Sequence, residues 1–324
     1  MAHYTIGFDL GGTKMLAALF DKKLNKIAQL KRRTRPNSEG SINSKDGLDR
    51  IAELIEDLLQ EKGVKHGDLA GIGIGAPGPV DMEKGVLEEA GNLGWKNVPL
   101  RKFLKKRFGC PVSAGNDVDL GVYGEYLAGA GKDSKVLLGA FPGTGLGGGL
   151  VVRGEIYVGA RLSCMELGHV QVMPSGPRCG CGETGCLETM TSRLAISRDC
   201  AVEVIRGNAP TLDAISGSEI SKMKSGALAA SAAKDEAVER IILRAAKWLG
   251  IGLAGAVNLL GPDKIVLGGG MVEAMPKLIL DEVRETVNRN AMKPYRDSFD
   301  VVAAKLGDDA VITGAAGLVQ ASRS

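Results

Sequence analysis

The sequence lacks the features that would set a protein across a membrane, outside the cell or along a nucleic acid. Neither sign of charge dominates: 41 Lys and Arg stand against 38 Asp and Glu in 324 residues, a net of +3. The basic runs at 31–35 and 101–107 are short, so they read as solvated surface and a nucleic-acid face is not expected. The longest apolar stretch, 248–260, is glycine-rich, contains Asn258 and falls short of the roughly 20 residues that a bilayer span needs. Tyr4-Thr5-Ile6-Gly7-Phe8 opens the chain without a basic segment, an apolar block and a cleavage site, so secretion is not signalled. Aromatic residues are scarce at 4%, and six cysteines are too few for a disulfide scaffold in so long a chain. These absences together lead to the expectation of a soluble, cytoplasmic chain without a membrane or nucleic-acid partner.

Glycine, by contrast, is abundant. The 46 glycines follow neither the triplet period of collagen nor the monotony of a linker, and must serve particular turns. The length suits two lobes rather than one core, and two lobes imply a cleft. Residues 4–10 read as a buried strand, Gly11-Gly12-Thr13 as a turn, 15–20 as the returning strand and 24–30 as a third. Leu48, Ile51, Ala52, Ile55, Leu58 and Leu59 share a helical face, with Ser44 or Asp46 as cap and Gly63 as stop. The strand–turn–strand order returns at 136–141, Gly143-Thr144-Gly145 and 149–152, so the chain reads as internally duplicated. Helices at 235–260 and 276–290 flank a strand at 264–267, and 206–234 reads as short helices and loops. The class is α/β.

Asp9-Leu10-Gly11-Gly12-Thr13-Lys14 sets a carboxylate at a strand end before two residues without Cβ, a hydroxyl and an ammonium. Such a turn can aim N–H groups at phosphate oxygens, with Thr13 as a further donor and Asp9 holding Mg²⁺ through water. One such turn alone reads as an ordinary hairpin; the second copy, Gly143-Thr144-Gly145, reverses this in favour of a nucleotide gripped from both lobes. Asn116-Asp117 follows a short apolar strand and precedes a helical stretch, which suits either a helix cap or a base facing a cleft. Cys179, Cys181 and Cys186 place three thiols in eight residues with glycines between, and His169 stands ten residues before the first. A Cys₃His set with no open position is a structural zinc site. Cys110, Cys164 and Cys200 read as ordinary buried side chains.

The two glycine-threonine turns and the cysteine cluster, in order and nearly spanning the chain, resemble the ROK sugar kinases, relatives of hexokinase and actin. That resemblance implies a two-lobed, actin-like (ribonuclease H-like) duplicated fold with a cleft between the lobes. The small lobe is expected from 1–118 with 309–324, and the large lobe, with its zinc insert, from 119–308. It also implies ATP phosphates at Asp9, Gly11, Gly12, Thr13 and Lys14 and at Gly143, Thr144 and Gly145, with Gly268, Gly269 and Gly270 beside the adenosine. Asp117 is implied as the base, with Asn116, Asp117, Glu166, His169 and Glu188 on the hexose and Gly78 in a segment lining it. Glucose is the expected sugar; N-acetylmannosamine, N-acetylglucosamine, fructose and allose are the rivals. Family members commonly pair as homodimers, and some are sugar-responsive repressors with an added DNA-reading segment, for which the start of this sequence at the first strand leaves no expectation. Asp119, where the family more often has Asn, and the run 161–165 depart from the family pattern.

Overall fold

The computed structural model describes residues 3–35, 42–160, 162–163 and 165–322. The chain divides into two compact units, one of 1–132, 149–164 and 308–324 and the other of 133–148 and 165–307. Its strands are β1 (Tyr4–Leu10), β2 (Lys14–Phe20), β3 (Lys26–Arg33), β4 (Leu69–Ala76), β5 (Val80–Asp81), β6 (Val86–Ala90), β7 (Trp95–Val98), β8 (Val112–Asn116), β9 (Val136–Pro142), β10 (Leu146–Val152), β11 (Glu155–Ile156), β12 (Lys264–Leu267) and β13 (Asp300–Ala303). Its helices are α1 (Ser44–Lys62), α2 (Leu100–Phe108), α3 (Asp117–Ala128), α4 (Glu188–Thr191), α5 (Arg193–Ile205), α6 (Pro210–Ser216), α7 (Ser225–Ala232), α8 (Glu236–Leu260), α9 (Gly270–Ala274), α10 (Pro276–Asn290) and α11 (Asp309–Ala321).

Two five-stranded sheets have the orders β3-β2-β1-β4-β8 and β11-β10-β9-β12-β13. Numbered among its own strands alone, each sheet runs third, second, first, fourth, fifth, with β5, β6 and β7 forming a separate sheet between β4 and β8 in the chain, so the duplication expected from the sequence is present in the topology. In the first sheet β1 is antiparallel to β2 and parallel to β4, which is parallel to β8. In the second, β12 is parallel to both β9 and β13. Parallel neighbours bury both faces, and Ile6, Phe8, Ile72 and Ile74 in one unit and Leu138, Ile265 and Leu267 in the other are fully buried.

Helix α1 buries Leu48, Ile51, Ala52, Ile55, Leu58 and Leu59, and ends at Gly63 in the left-handed conformation, as its pattern required. Its cap is Asn43 rather than Ser44 or Asp46. Asn43 is extended and its Oδ1 accepts the Asp46 N–H at 2.9 Å, whereas Ser44 and Asp46 already lie inside the helix. Strand β3 runs on to Arg33 because β2 offers partners that far, Lys14 opposite Arg33. Helix α8 is 25 residues long, beyond the apolar stretch read from the sequence, and reaches the length and hydropathy of a membrane span. In the structure it packs as a core helix, with Val238 and Leu253 fully buried.

The face of the first sheet that carries Asp9 is lined with glycine. A Cβ on Gly73 would stand 1.9 Å from the carbonyl oxygen of Ala315 in α11, which allows the helix to lie directly on the strands. Backbone cannot swing aside as a flexible side chain can. Gly73→Ala is therefore expected to destabilise the protein by about 3 kcal/mol, read from the denaturant midpoint. Helix α3 packs along α11 and so lies in the first unit, although the sequence reading puts a lobe boundary at its start.

Candidate functional site

In the first unit the ends of β1, β4 and β8 lie side by side, with Asp9 level with Gly75 and Ala76 level with Asn116. Asn116 caps α3: its Oδ1 accepts the N–H groups of Val118 (2.8 Å) and Asp119 (3.1 Å), and its Nδ2 donates to the Gly78 carbonyl at 3.0 Å. Asp117 is the first helical residue, with Oδ1 accepting the Val118 N–H at 2.9 Å. The cap and the candidate base are thus different residues, a distinction the dipeptide alone could not make. Asp119 is buried in the same helical turn.

Burial pushes the Asp9 carboxyl up to about 7; the negative charges of Asp117 and Asp308 add to this, and the positive charges of Lys14 and Lys31 oppose it. Two carboxylates that feel one another at the mouth of parallel strands form a donor set suited to a divalent cation. In the unfolded chain this carboxyl would titrate near 3.8. The folded protein therefore holds the proton where the unfolded chain has lost it, and Asp9 removes stability as the pH rises from about 4 to 7. Asp9→Asn is expected to flatten that fall, so that in thermal melts with EDTA the variant is the more stable protein at neutral pH.

The first turn is tied down from two sides. Thr34 Oγ1 donates to the Gly11 carbonyl at 2.6 Å and the Thr34 N–H to the Thr13 carbonyl at 3.0 Å. The Asn92 side chain sits against Gly12, where a Cβ would come within 2.9 Å of Nδ2. Arg35 donates to the Asn92 carbonyl at 2.7 Å. Lys14 donates to both Asp308 oxygens (3.0 and 2.8 Å). Both side chains are largely exposed, so this pair contributes little to stability. The sequence alone does not mark Asp308: Gly307-Asp308-Asp309 looks only like a helix start, and its lysine partner is 294 positions away.

In the second unit the turn Gly143-Thr144-Gly145 follows β9 and is closed by the Gly143 N–H donating to the Gly145 carbonyl at 2.8 Å. The glycine triplet packs beside it: a Cβ on Gly268 would meet the Phe141 ring at 2.9 Å, and one on Gly269 the Pro142 carbonyl oxygen at 2.8 Å. The structure thus packs Gly268 and Gly269 on Phe141 and Pro142, the two residues just before the turn and over a hundred positions away in the sequence.

Glu188 opens α4 and joins this turn to the cysteine cluster. Its Oε2 accepts the Leu146 N–H at 2.8 Å, and its Oε1 lies 3.9 Å from Cys179 Sγ. A Cβ on Gly145 would fall 2.3 Å from that Oε2. Glu166 and His169 are exposed; Glu166 precedes the short 3₁₀ turn Leu167–His169 and His169 ends it.

His169, Cys179, Cys181 and Cys186 converge, with their ligand atoms all within 4.8 Å of one another. Cys181 Sγ is 3.7 Å from Cys186 Sγ, and Cys179 Sγ is 3.6 Å from His169 Nδ1. Zinc bonded to sulfur at about 2.3 Å and nitrogen at about 2.0 Å would give tetrahedral edges of about 3.8 and 3.5 Å, so the residues fit that ion. Burial pushes the Cys186 thiol up to about 12 and raises Cys179, while donation from the Glu183 backbone lowers Cys181. Cys110 and Cys200 are buried, as expected; Cys164 and Arg161 lie outside the described residues.

The profile of the ROK family matches residues 5–322. A glucokinase of Halalkalibacterium halodurans is 32% identical over 97% of this chain and 94% of its own length. The crystal structure of a ROK family glucokinase from Streptomyces griseus in complex with glucose and AMPPNP is 30% identical, with a TM-score of 0.83, over 97% of this chain and 98% of that one. A xylose repressor of Caldicellulosiruptor bescii is 30% identical over 87% of this chain and 71% of its own length.

Proposed function

This chain belongs to the ROK family, and from that premise we propose that it is an ATP-dependent sugar kinase that converts glucose to glucose 6-phosphate, with Asp117 as the base. The reading has the duplicated, actin-like α/β fold behind it. The observation that carries it is the division of labour at the start of α3: Asn116 makes the cap, and the Asp117 carboxylate bears electrostatically on Asp9.

Phosphoryl transfer asks the protein for alignment, charge stabilisation and an acceptor for the hydroxyl proton. Asp117 takes that proton. Asp9 would hold Mg²⁺ through water, and the ion would supply charge neutralisation at the phosphates; the neighbouring Asp117 and the raised Asp9 carboxyl support such a cation there. Backbone N–H groups of Gly11, Gly12 and Thr13, with Lys14, and those of Gly143, Thr144 and Gly145 are the phosphate donors. Gly268–Gly270, packed on Phe141 and Pro142, would border the adenosine.

Asn116, Asp117, Glu166, His169 and Glu188 are the proposed partners of the sugar hydroxyls, and the Gly78 carbonyl orients Asn116. Donors and acceptors at set positions discriminate epimers by leaving a wrong hydroxyl unpaired. Zinc held by His169, Cys179, Cys181 and Cys186 would be structural. With His169 Nδ1 on the cysteine side, Nε2 is left for a sugar oxygen.

A coupled ADP-release assay of the purified protein over a panel of sugars and phosphate donors tests the reading. Glucose with ATP should give the highest kcat/KM. Preference for an N-acetyl sugar would replace the substrate, and absence of turnover with every sugar would leave the repressor-like alternative.

A further inference from the structure

We infer that Arg193 is a positioning residue for nucleotide phosphate, acting through Thr144; the inference rests on the kinase reading of the second glycine turn. Arg193 is the first residue of α5 and is 9% exposed. It holds the turn at two points. Its backbone N–H donates to the Gly143 carbonyl at 2.9 Å, and its Nη2 donates to Thr144 Oγ1 at 3.2 Å. Nη1 donates to the Met223 carbonyl at 3.3 Å, and Ser197 Oγ donates to the same oxygen at 3.2 Å.

Those two oxygens are neutral, and among the described residues no carboxylate forms an ion pair with this guanidinium. A buried cation without a counter-charge is costly, and a fold has little reason to keep one beside a turn unless an anion comes there. An arginine built only to brace the turn could have been a neutral donor.

The hydrogen-bond inventory gives the guanidinium a second task. A threonine hydroxyl has one hydrogen to donate and two lone pairs to accept with. Arg193 occupies a lone pair, so the Thr144 hydrogen is left for another acceptor. A charge-assisted bond also polarises the hydroxyl it touches, making that hydrogen a better donor. A phosphate oxygen in the turn would then meet the glycine N–H groups, an oriented hydroxyl and the field of a buried positive charge.

Titration of the full-length, zinc-loaded protein with Mg-AMPPNP by calorimetry, for wild type, Arg193→Met, Thr144→Val and the double variant, tests this. Each single variant is expected to bind about 10-fold more weakly, with ATP KM raised alike and glucose KM within about twofold of wild type. Because one residue acts through the other, the double variant should lose little more than either single one. A multiplicative loss of about 100-fold, or wild-type affinity in Arg193→Met, would overturn the inference. Should Arg193→Met fail to fold, Thr144→Val against Thr144→Ser decides: the serine hydroxyl should keep most of the affinity, and equal affinity in both removes the role. Wild-type protein that is folded yet binds no nucleotide would sink the kinase reading, and this inference with it; unaffected variants of a protein that binds nucleotide would sink the inference alone.

Discussion

Asp117→Asn is expected to lower kcat by about 10²- to 10⁴-fold while the circular dichroism, zinc content and nucleotide affinity stay close to those of the parent. The amide is nearly isosteric with the carboxylate and can still accept the Val118 N–H through its oxygen. The cap of α3 belongs to Asn116, so the helix start should survive the change. What is lost is a base for the hydroxyl proton, and single-turnover measurement should place the loss in the chemical step. The substitution also removes a negative charge that raises the Asp9 carboxyl, so the Asp9 pKa should fall in the variant. Turnover at the parental rate would remove Asp117 from the mechanism.

His169→Ala and Cys181→Ser should each lose bound zinc, measured by elemental analysis, and only the first should also lose sugar affinity through a direct contact. Losing a structural metal belongs to the small class of changes that cost about 4 kcal/mol or more. For a protein with units of this size that corresponds to a fall in melting temperature of about 10 °C. An unloaded cluster should loosen Glu188, whose Oε1 lies 3.9 Å from Cys179 Sγ. Because Glu188 accepts the Leu146 N–H beside the second glycine turn, the loss should reach the nucleotide side as well. Zinc uptake must drive protons from thiols, one of them raised to about 12, so loading should strengthen as the pH rises. Full zinc occupancy in His169→Ala would overturn the ligand assignment.

Much of this protein could be read locally. A strand such as Tyr4–Leu10 shows itself as an apolar run ending in glycines, α1 as a face of leucine and isoleucine, and the cysteine cluster as three thiols within eight residues. The recurrence of strand–turn–strand announced the duplication before the two sheets displayed it. These features depend on neighbours within one turn of chain, where periodicity, backbone conformation and ligand spacing act directly.

Other features came only with the tertiary structure. Nothing near Lys14 marks Asp308 as its partner, nothing near Thr144 marks Arg193, and a glutamate at 188 does not reveal that it accepts a backbone N–H at 146. Nor does Gly73 reveal that a helix more than two hundred residues later will press against it. The sequence by itself determined the elements, the glycine turns and the close spacing of the three cysteines, because their causes are short-ranged. Which side chains meet across those elements, how far burial raises Asp9, and which of Asn116 and Asp117 caps the helix were decided by packing, since a contact or a desolvated charge exists only once distant segments have come together.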